Sequence, residues 1–303
     1  MKSGFVGLIG RPNVGKSTLM NHIIGKKIAI TSSKPQTTRN IIQGIYNDSD
    51  TQIVFVDTPG IHKPNHKLGN YLNKQAYYSI DDVDVILFLV DASSNLGTGD
   101  KYIIERFSEI NKPVILILNK IDKMKKEEIL LKITEYKDLY DFSEIVPISA
   151  LKNKNTDTLI NVIRSYLPDN IKYFSEDQVT NKSEQFIISE LIREKIFNLT
   201  EEEVPHSITC YVEKIEYKKE SVVINACVVV DRDSLKKIII GHNGSKIKEI
   251  GIKARQDIEK FTSKKVFLDI YVKTIKKWRD REKYLKEFGY DDFELYLNKK
   301  FNF

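Results

Sequence analysis

Two short segments carry residues that can hold a phosphate chain and the base attached to it. The first, Gly10-Arg-Pro-Asn-Val-Gly-Lys16-Ser17, fits the phosphate-loop pattern. Its glycines let the backbone curl so that successive N–H groups point at one anion, Lys16 adds a cation, and Ser17 offers a hydroxyl to magnesium. Asn13, Val14, Gly15 and Thr18 complete the predicted cradle. By itself, this pattern does not separate ATP from GTP.

The second segment, Asn119-Lys-Ile-Asp122, selects the base. The Asp122 carboxylate can accept two hydrogen bonds, from the N1–H and the 2-amino group of guanine, and adenine lacks this donor pair. Asn119 is predicted to contact the other base edge and to orient the loop. The stem of Lys120 is predicted to cover the ring face while its ammonium stays in water. Together the two segments predict a site for GTP or GDP with Mg²⁺.

The elements around these segments alternate between strand and helix. Short apolar runs and amphipathic stretches predict strands at 5–9, 41–46, 53–56, 85–90, 114–118 and 145–148, and helices at 16–24, 100–110 and 127–140. The two runs at 85–90 and 114–118 have the composition of strands buried on both faces. This order predicts an α/β P-loop fold with a doubly wound, mostly parallel sheet, and the motifs follow its strand ends.

The second half of the chain predicts a smaller α+β domain. A helix at 184–199, strands at 207–217 and 221–230, a helix at 235–240, the loop Gly241-His-Asn-Gly244, a helix at 245–261 and a strand at 266–272 follow one another. Helices on both sides of a GxxG loop resemble a KH module of type II. Polar residues without periodicity separate the halves. The predicted domains are 1–171 and 184–303, joined by a linker at 172–183.

Charge and composition indicate the kind of partner and the compartment. The formal net charge is +6, but residues 232–286 hold 17 Lys and Arg against 7 Asp and Glu, which predicts a polyanion partner for this region. The chain has no apolar run long enough to cross a bilayer and no signal-peptide core, so we expect a cytoplasmic protein. Its two cysteines, Cys210 and Cys227, are interpreted as small buried residues rather than a disulfide or a metal site.

The whole motif set resembles the Era family of GTPases. The segments that carry the resemblance are Gly10 to Thr18, Gln36-Thr-Thr-Arg39, Asp57-Thr-Pro-Gly60, Asn119 to Asp122, Ser149-Ala150, and Ile240 to Lys248. The resemblance implies a monomeric GTPase that binds the 3′ end of small-subunit ribosomal RNA during assembly of that subunit. It also implies RNA contacts by the KH loop, namely by Gly241, His242, Asn243, Gly244, Lys246 and Lys248.

The same resemblance implies roles for individual residues of the nucleotide site. Lys16, Thr38 and Gly60 would act in catalysis, with Thr37 as the alternative to Thr38 for sensing the γ-phosphate. Ser17, Thr38 and Asp57 would hold magnesium, Asp57 through water. Thr58 and Gly60 would form the second switch, with the Gly60 N–H on the γ-phosphate, so that hydrolysis releases both switches. Ser149 and Ala150 would complete the base pocket, with the Ala150 N–H on guanine O6.

One position departs from the Ras pattern, and the roles of several other residues are weighed against simpler interpretations. Ile61 stands where Ras-like enzymes place the glutamine that orients water, which predicts slow intrinsic turnover and acceleration by RNA or a cation. Asn13 either ligates potassium or only caps its loop. His62 and His66 are interpreted as exposed loop residues rather than as a base. Trp278 and Tyr271 are either RNA-stacking platforms or core residues.

Two other functional classes compete with an RNA-binding switch. A membrane- or protein-docked regulatory GTPase would use the basic C-terminal region on acidic lipids, which implies peripheral membrane association. An ATP-dependent phosphotransferase is disfavoured by Asp122 and by the lack of any separate small-substrate pattern.

Overall fold

A computed structural model describes residues 1–32, 34, 37–60 and 67–290, and only the backbone of 76–80. The chain forms two compact units that divide between Asn181 and Lys182, and residues 67–71 cluster with the second unit. Among the described helices, none is long and apolar enough to cross a membrane.

The first unit is built on a six-stranded sheet in the order β2-β3-β1-β4-β5-β6. Its strands are β1 Lys2–Ile9, β2 Ile42–Asn47, β3 Thr51–Asp57, β4 Val85–Asp91, β5 Val114–Asn119 and β6 Glu144–Pro147. All neighbouring pairs are parallel except β2 and β3, which form an antiparallel hairpin. The predicted doubly wound α/β fold is therefore confirmed.

Helices lie between and after these strands. They are α1 Lys16–Ile24, α2 Lys67–Asp81, α3 Thr98–Phe107, α4 Lys126–Lys137 and α5 Thr156–Tyr166. Residues 85–90 of β4 are fully buried, because helices cover both faces of a parallel sheet. Phe88 and Phe107 pack edge to face, 5.2 Å between ring centroids, in the cluster beneath α3.

The register of the sheet brings the sequence motifs to one edge. Leu8 in β1 lies opposite Asp57 in β3, and Asp91 in β4 lies opposite Asn119 in β5. The residues that follow these parallel strands therefore meet at the carboxyl edge of the sheet, where ligands bind in this architecture.

Most of the predicted linker lies along the outer edge of the first unit. The Ile45 N–H donates to the Val179 carbonyl, and Asn181 exchanges hydrogen bonds with Gln43. Earlier in this segment, the buried Gln52 side chain accepts from the backbone N–H groups of Tyr173 and Phe174 at 2.7 and 3.0 Å. Residues 173–181 thus cover an edge strand that would otherwise expose unpaired backbone groups.

Replacing Gln52 with alanine is expected to lower the free energy of unfolding of the first unit by about 2–4 kcal/mol, because its amide satisfies three backbone groups of this segment and Asn47. Chemical denaturation of the full chain measures the change. Gln178→Ala serves as the control, since the described hydrogen bond of the Gln178 side chain goes to the nearby Thr180 carbonyl. A loss below about 0.5 kcal/mol for Gln52→Ala would contradict the proposed anchoring.

The second unit has a three-stranded sheet in the order β7-β8-β9 with helices on one face. Its elements are α6 Glu184–Leu199, β7 Ile208–Tyr217, β8 Ser221–Val230, α7 Asp233–Ile240, α8 Ser245–Thr262, β9 Lys265–Thr274 and α9 Glu282–Glu287. The central strand β8 pairs antiparallel with β7 and parallel with β9. This arrangement confirms the predicted KH fold.

Trp278, Cys227 and Tyr290 belong to the core of this unit, and Cys210 is half-buried. Trp278 is fully buried and its indole N–H donates to the Ser207 carbonyl at 3.0 Å, so its interpretation as an RNA-stacking platform is wrong. Cys210 and Cys227 are free thiols, and burial raises the pKa of each. Tyr290 stacks near Trp278, and the rest of the aromatic tail, 291–303, lies outside the described residues.

Candidate nucleotide site and nucleic-acid interface

The phosphate loop curls around the ammonium of Lys16. Gly10 follows β1 and α1 begins at Lys16, with Gly15 at its N-cap in a left-handed conformation and without a side-chain cap. The uncapped first turn leaves backbone N–H groups for an anion. Lys16 Nζ donates to the carbonyls of Gly10 and Arg11 at 2.9 and 3.1 Å. Burial lowers the pKa of Lys16 to about 8, although nearby Asp57 opposes the shift.

Three oxygen-bearing side chains converge beside this loop. Ser17 Oγ donates to Asp57 Oδ2 at 2.6 Å and lies 3.0 Å from Thr38 Oγ1. Thr37 points elsewhere, since its hydroxyl donates to the Lys34 carbonyl. Asp57 Oδ1 is buried and has no hydrogen-bond partner among the described residues, and burial raises the pKa of this carboxyl. Hydroxyl and carboxylate oxygens with one unsatisfied buried atom suit a hard cation such as Mg²⁺.

The predicted base-reading residues form one hydrogen-bonded unit. Asp122 is exposed and accepts from the Ser149 hydroxyl at 2.5 Å, which orients its carboxylate. Lys120 Nζ donates to the Asn13 carbonyl at 2.8 Å and to Asp91 Oδ2 at 2.6 Å. Its side chain therefore runs from the base-reading loop to the phosphate loop.

Asn119 connects three loops from a buried position. Its Nδ2 donates to the Val14 carbonyl at 2.7 Å, and its Oδ1 accepts from the backbone N–H groups of Lys120 and Ala150. Asn119 thus orients the loop, as the sequence predicts. The Ala150 N–H donates to Asn119 Oδ1 at 2.9 Å, and its predicted contact with guanine O6 stays a prediction.

The two switch segments are described in part. Thr58 donates its hydroxyl to the Leu8 carbonyl, and Gly60 packs so closely on the phosphate loop that a Cβ there would lie 2.9 Å from Pro12 Cγ. Thr18 lies in the first turn of α1. Gln36, Ile61, His62 and His66 lie outside the described residues, so the predictions made for them stand as predictions.

In the second unit, the GxxG loop joins α7 to α8 and exposes His242 and Asn243. Gly241 and Gly244 both have positive φ, and a Cβ at Gly244 would meet no described atom within 4 Å. Lys248 is exposed, whereas Lys246 lies 3.8 Å from Glu249. The hydrogen bond from Lys253 and both lysine charges lower the pKa of Glu249. The loop is thus open to a nucleic-acid backbone, with one of its two predicted cations already paired.

Beside this loop, α8 and the edge strand β9 enclose a groove of about 530 Å³. Its walls are largely apolar, with Lys248 and Arg255 on one side and Asp269 on the other. Phe267 is 64 % exposed at its rim, and the predicted platform Tyr271 is 41 % exposed farther along β9. A narrow apolar groove with cations at its rim suits unstacked bases whose phosphates follow the GxxG loop.

Comparisons with known proteins agree with both units. Residues 5–120 match the family described as 50S ribosome-binding GTPase, and residues 203–279 match the KH domain family. Two crystal structures of Era are 42 % identical in sequence to this chain, with a TM-score of 0.92, and the alignment covers 96 % of this chain and 99 % of theirs. The chain belongs to the Era family of GTPases.

One of these Era structures is an Aquifex aeolicus tyrosine-to-alanine variant bound to GDP and AlF4⁻. The other holds Era with MgGDPNP and nucleotides 1506–1542 of 16S ribosomal RNA. Membership in the Era family makes this chain a GTPase. The loop that surrounds Lys16 is the predicted nucleotide site.

Three residues beside the site of this Era family member have no role assigned from the sequence. Arg11 and Asp100 form an ion pair beside the phosphate loop, and Asp91 holds Lys120. Burial alone would raise the pKa of Asp91, but hydrogen bonds from Lys120 and Ser93 outweigh it and lower the pKa. A signal for Asp91 was present, because a carboxylate directly after a buried parallel strand lies at the ligand edge of the sheet.

The lowered pKa of Lys16 predicts that nucleotide binding takes up a proton in mildly alkaline solution. Bound phosphates favour the charged ammonium, so affinity should be constant below pH 8 and fall by up to about tenfold per pH unit above it. Calorimetry of GDP binding at pH 8.5 in two buffers of different ionisation enthalpy should give an uptake of about 0.8 proton. Uptake near zero at pH 8.5 would show that Lys16 is already charged in the free protein.

Proposed function

We propose that this protein is a GTP-driven switch that binds single-stranded ribosomal RNA near the 3′ end of the small-subunit RNA and assists assembly of that subunit. The observation that carries the proposal is the presence, in one chain, of a guanine-reading site and of a KH groove beside an open GxxG loop. The Era structure that contains 16S ribosomal RNA supports the choice of RNA.

The nucleotide site would bind GTP by dividing its polar groups between base and phosphates. Asp122, held by Ser149, would accept from the guanine N1–H and 2-amino group, while Lys16 and the first turn of α1 would bind the phosphates. Ser17, Thr38 and Asp57 would hold Mg²⁺, which neutralises charge on the phosphates when bound. Because Thr38 belongs to the segment before β2, loss of the γ-phosphate would release that segment.

Water activation in this family member requires a group other than a glutamine after Gly60, since position 61 is isoleucine. We propose that potassium contributes, with Asn13 as a ligand, because Asn13 is exposed in the phosphate loop and its carbonyl is held by Lys120. GTP hydrolysis should then be faster in potassium than in sodium by about tenfold or more. Asn13→Ala should remove the difference. Equal rates in the two salts would exclude a cation role for Asn13.

The KH groove would take an unstacked segment of RNA. Lys248 and Arg255 supply positive charge beside apolar walls, and the basic character of residues 232–286 extends this field. We propose that the protein acts as a monomer in the cytoplasm. The alternative, a regulatory GTPase docked on a membrane by the same basic region, predicts binding to acidic lipids instead.

Titration of the full chain with a single-stranded oligonucleotide of the 3′ end of small-subunit RNA, and separately with phosphatidylserine vesicles, tests this proposal. We expect RNA binding that weakens with salt in proportion to the phosphates contacted, and no measurable vesicle binding. Vesicle binding without RNA binding would overturn the proposal and favour the membrane-docked alternative.

A further inference from the structure

Arg11, the second residue of the phosphate loop, reaches away from the nucleotide toward α3. Its Nε donates to Asp100 Oδ1 at 2.9 Å, and its Nη2 lies 3.5 Å from the Ser94 hydroxyl. The other carboxylate oxygen of Asp100 accepts from the Gly97 N–H at 3.0 Å, which also caps the first turn of α3. One buried carboxylate therefore joins the phosphate loop to the start of α3.

The backbone of α3 is shaped to receive this arginine. A Cβ at Gly97 would lie 2.5 Å from Arg11 Nη1, and a Cβ at Gly99 would lie 2.9 Å from Arg11 Cδ. The arginine side chain thus lies directly on two residues without side chains. Asp100 has no exposed surface, so its charge depends on a partner that stays in contact. These two features restrict Arg11 to one position.

The position of Arg11 determines where the loop carbonyls lie. Lys16 Nζ donates to the carbonyls of Gly10 and Arg11 itself, and Pro12 packs against Gly60 of the second switch. The other described ties of the loop, from Lys120 to Asn13 and from Asn119 to Val14, hold its later residues. Arg11 therefore secures the early half of the loop, next to the phosphate-binding ammonium.

We infer that Arg11 and Asp100 are a positioning pair that fixes the phosphate loop in its binding curvature. The pair acts through the loop backbone and Lys16, and touches neither base nor magnesium ligands. Its contribution is to the affinity for the phosphates, and it leaves the choice of base to Asp122. The inference concerns the GTPase site only and does not depend on RNA binding.

The test measures GDP affinity and the unfolding midpoint of the full chain in Asp100→Asn, Arg11→Met and the double variant Arg11→Met/Asp100→Leu. Asp100→Asn keeps an acceptor for the Gly97 N–H and removes the charge. We expect each variant to bind GDP about tenfold more weakly, with KM for GTP raised by a similar factor and kcat within about threefold. The preference for GTP over ATP should not change, and the double variant should lose no more affinity than the worse single variant.

A matched control is the ion pair between Arg164 and Asp48, which joins α5 to the β2–β3 turn in the same unit. Asp48→Asn should lower the unfolding midpoint as Asp100→Asn does, with GDP affinity unchanged. The inference is overturned if Asp100→Asn binds GDP within twofold of the wild type, or if Asp48→Asn weakens binding equally. Should Asp100→Asn or Arg11→Met fail to fold, the double variant, which leaves no unpaired buried charge, decides by the same criterion. Failure of the wild type to bind GDP would refute the GTP site itself.

Discussion

Replacing Asp122 with asparagine is expected to weaken GTP binding by about a hundredfold or more and to make XTP the preferred nucleotide. The carboxylate is exposed to the base pocket and oriented by Ser149, so two charge-assisted hydrogen bonds to guanine are lost together, at about 1.5–3 kcal/mol each. Xanthine presents a carbonyl in place of the 2-amino group, and the new amide can donate to it. A binding site with a buried hydrogen-bonding group discriminates strongly against a ligand that lacks the matching group, because the group of the site is then left unpaired.

Competition of fluorescent GDP with GTP, XTP and ATP measures the change. Ser149→Ala is the matched control, because it removes the group that orients the carboxylate and leaves the carboxylate in place. It should weaken GTP binding by only a few-fold and keep the preference for guanine. An Asp122→Asn protein that still selects GTP over XTP would contradict the role of this carboxylate, as would a wild type that binds ATP as tightly as GTP.

Aspartate at position 244 is expected to lower RNA affinity by about tenfold or more without unfolding the KH unit. Gly244 has φ of 74°, and a Cβ there would meet no described atom within 4 Å, so the new side chain starts in open space where a phosphate backbone would approach. It adds a negative charge to that approach and a modest backbone strain. Gly241 is unsuitable for this test, because a Cβ there would lie 2.9 Å from the Lys246 backbone nitrogen.

The chain offers a matched control in Gly25, which ends α1 with φ of 72° and likewise has no described atom within 4 Å of its missing Cβ. Gly25→Asp carries the same charge and the same strain in the GTPase unit, so it should leave RNA binding unchanged. Fluorescence anisotropy with the 3′ oligonucleotide compares the two variants. Equal affinities for Gly244→Asp and wild type would place the RNA away from the GxxG loop.

The sequence specified the strands better than the helices. Continuous apolar runs such as 85–90 and 114–118 are typical of central parallel strands, because both faces of such strands are buried. Both strands lie where the sequence predicts. Helix α2 was not predicted, because its composition is polar and it has no N-terminal capping signal. Helix α5 was also missed, although Leu159, Ile160 and Ile163 form an apolar face, because short loops rich in Asn and Lys precede it.

The motifs predict which residues form the nucleotide site. They do not predict which hydrogen bonds those residues make with one another. Motif spacing predicts that Lys16, Ser17, Asp57 and Asp122 are site residues, since each one has a single assigned contact with the phosphates, the magnesium ion or the base. The pair between Arg11 and Asp100 joins residues 89 positions apart, and the Ala150 N–H donates to Asn119, which lies 31 positions earlier in the chain. Such contacts depend on the packing of separate loops, which no local pattern encodes.

The central claim, that GTP controls RNA binding by this chain, is tested most directly by measuring the affinity of the full-length protein for the 3′ oligonucleotide at saturating GDP and at a saturating non-hydrolysable GTP analogue. We predict tighter RNA binding with the GTP analogue, by a factor of about five or more, as expected for coupling between two sites. The same dissociation constant in both nucleotide states would contradict the account, even if GTP and RNA each bind.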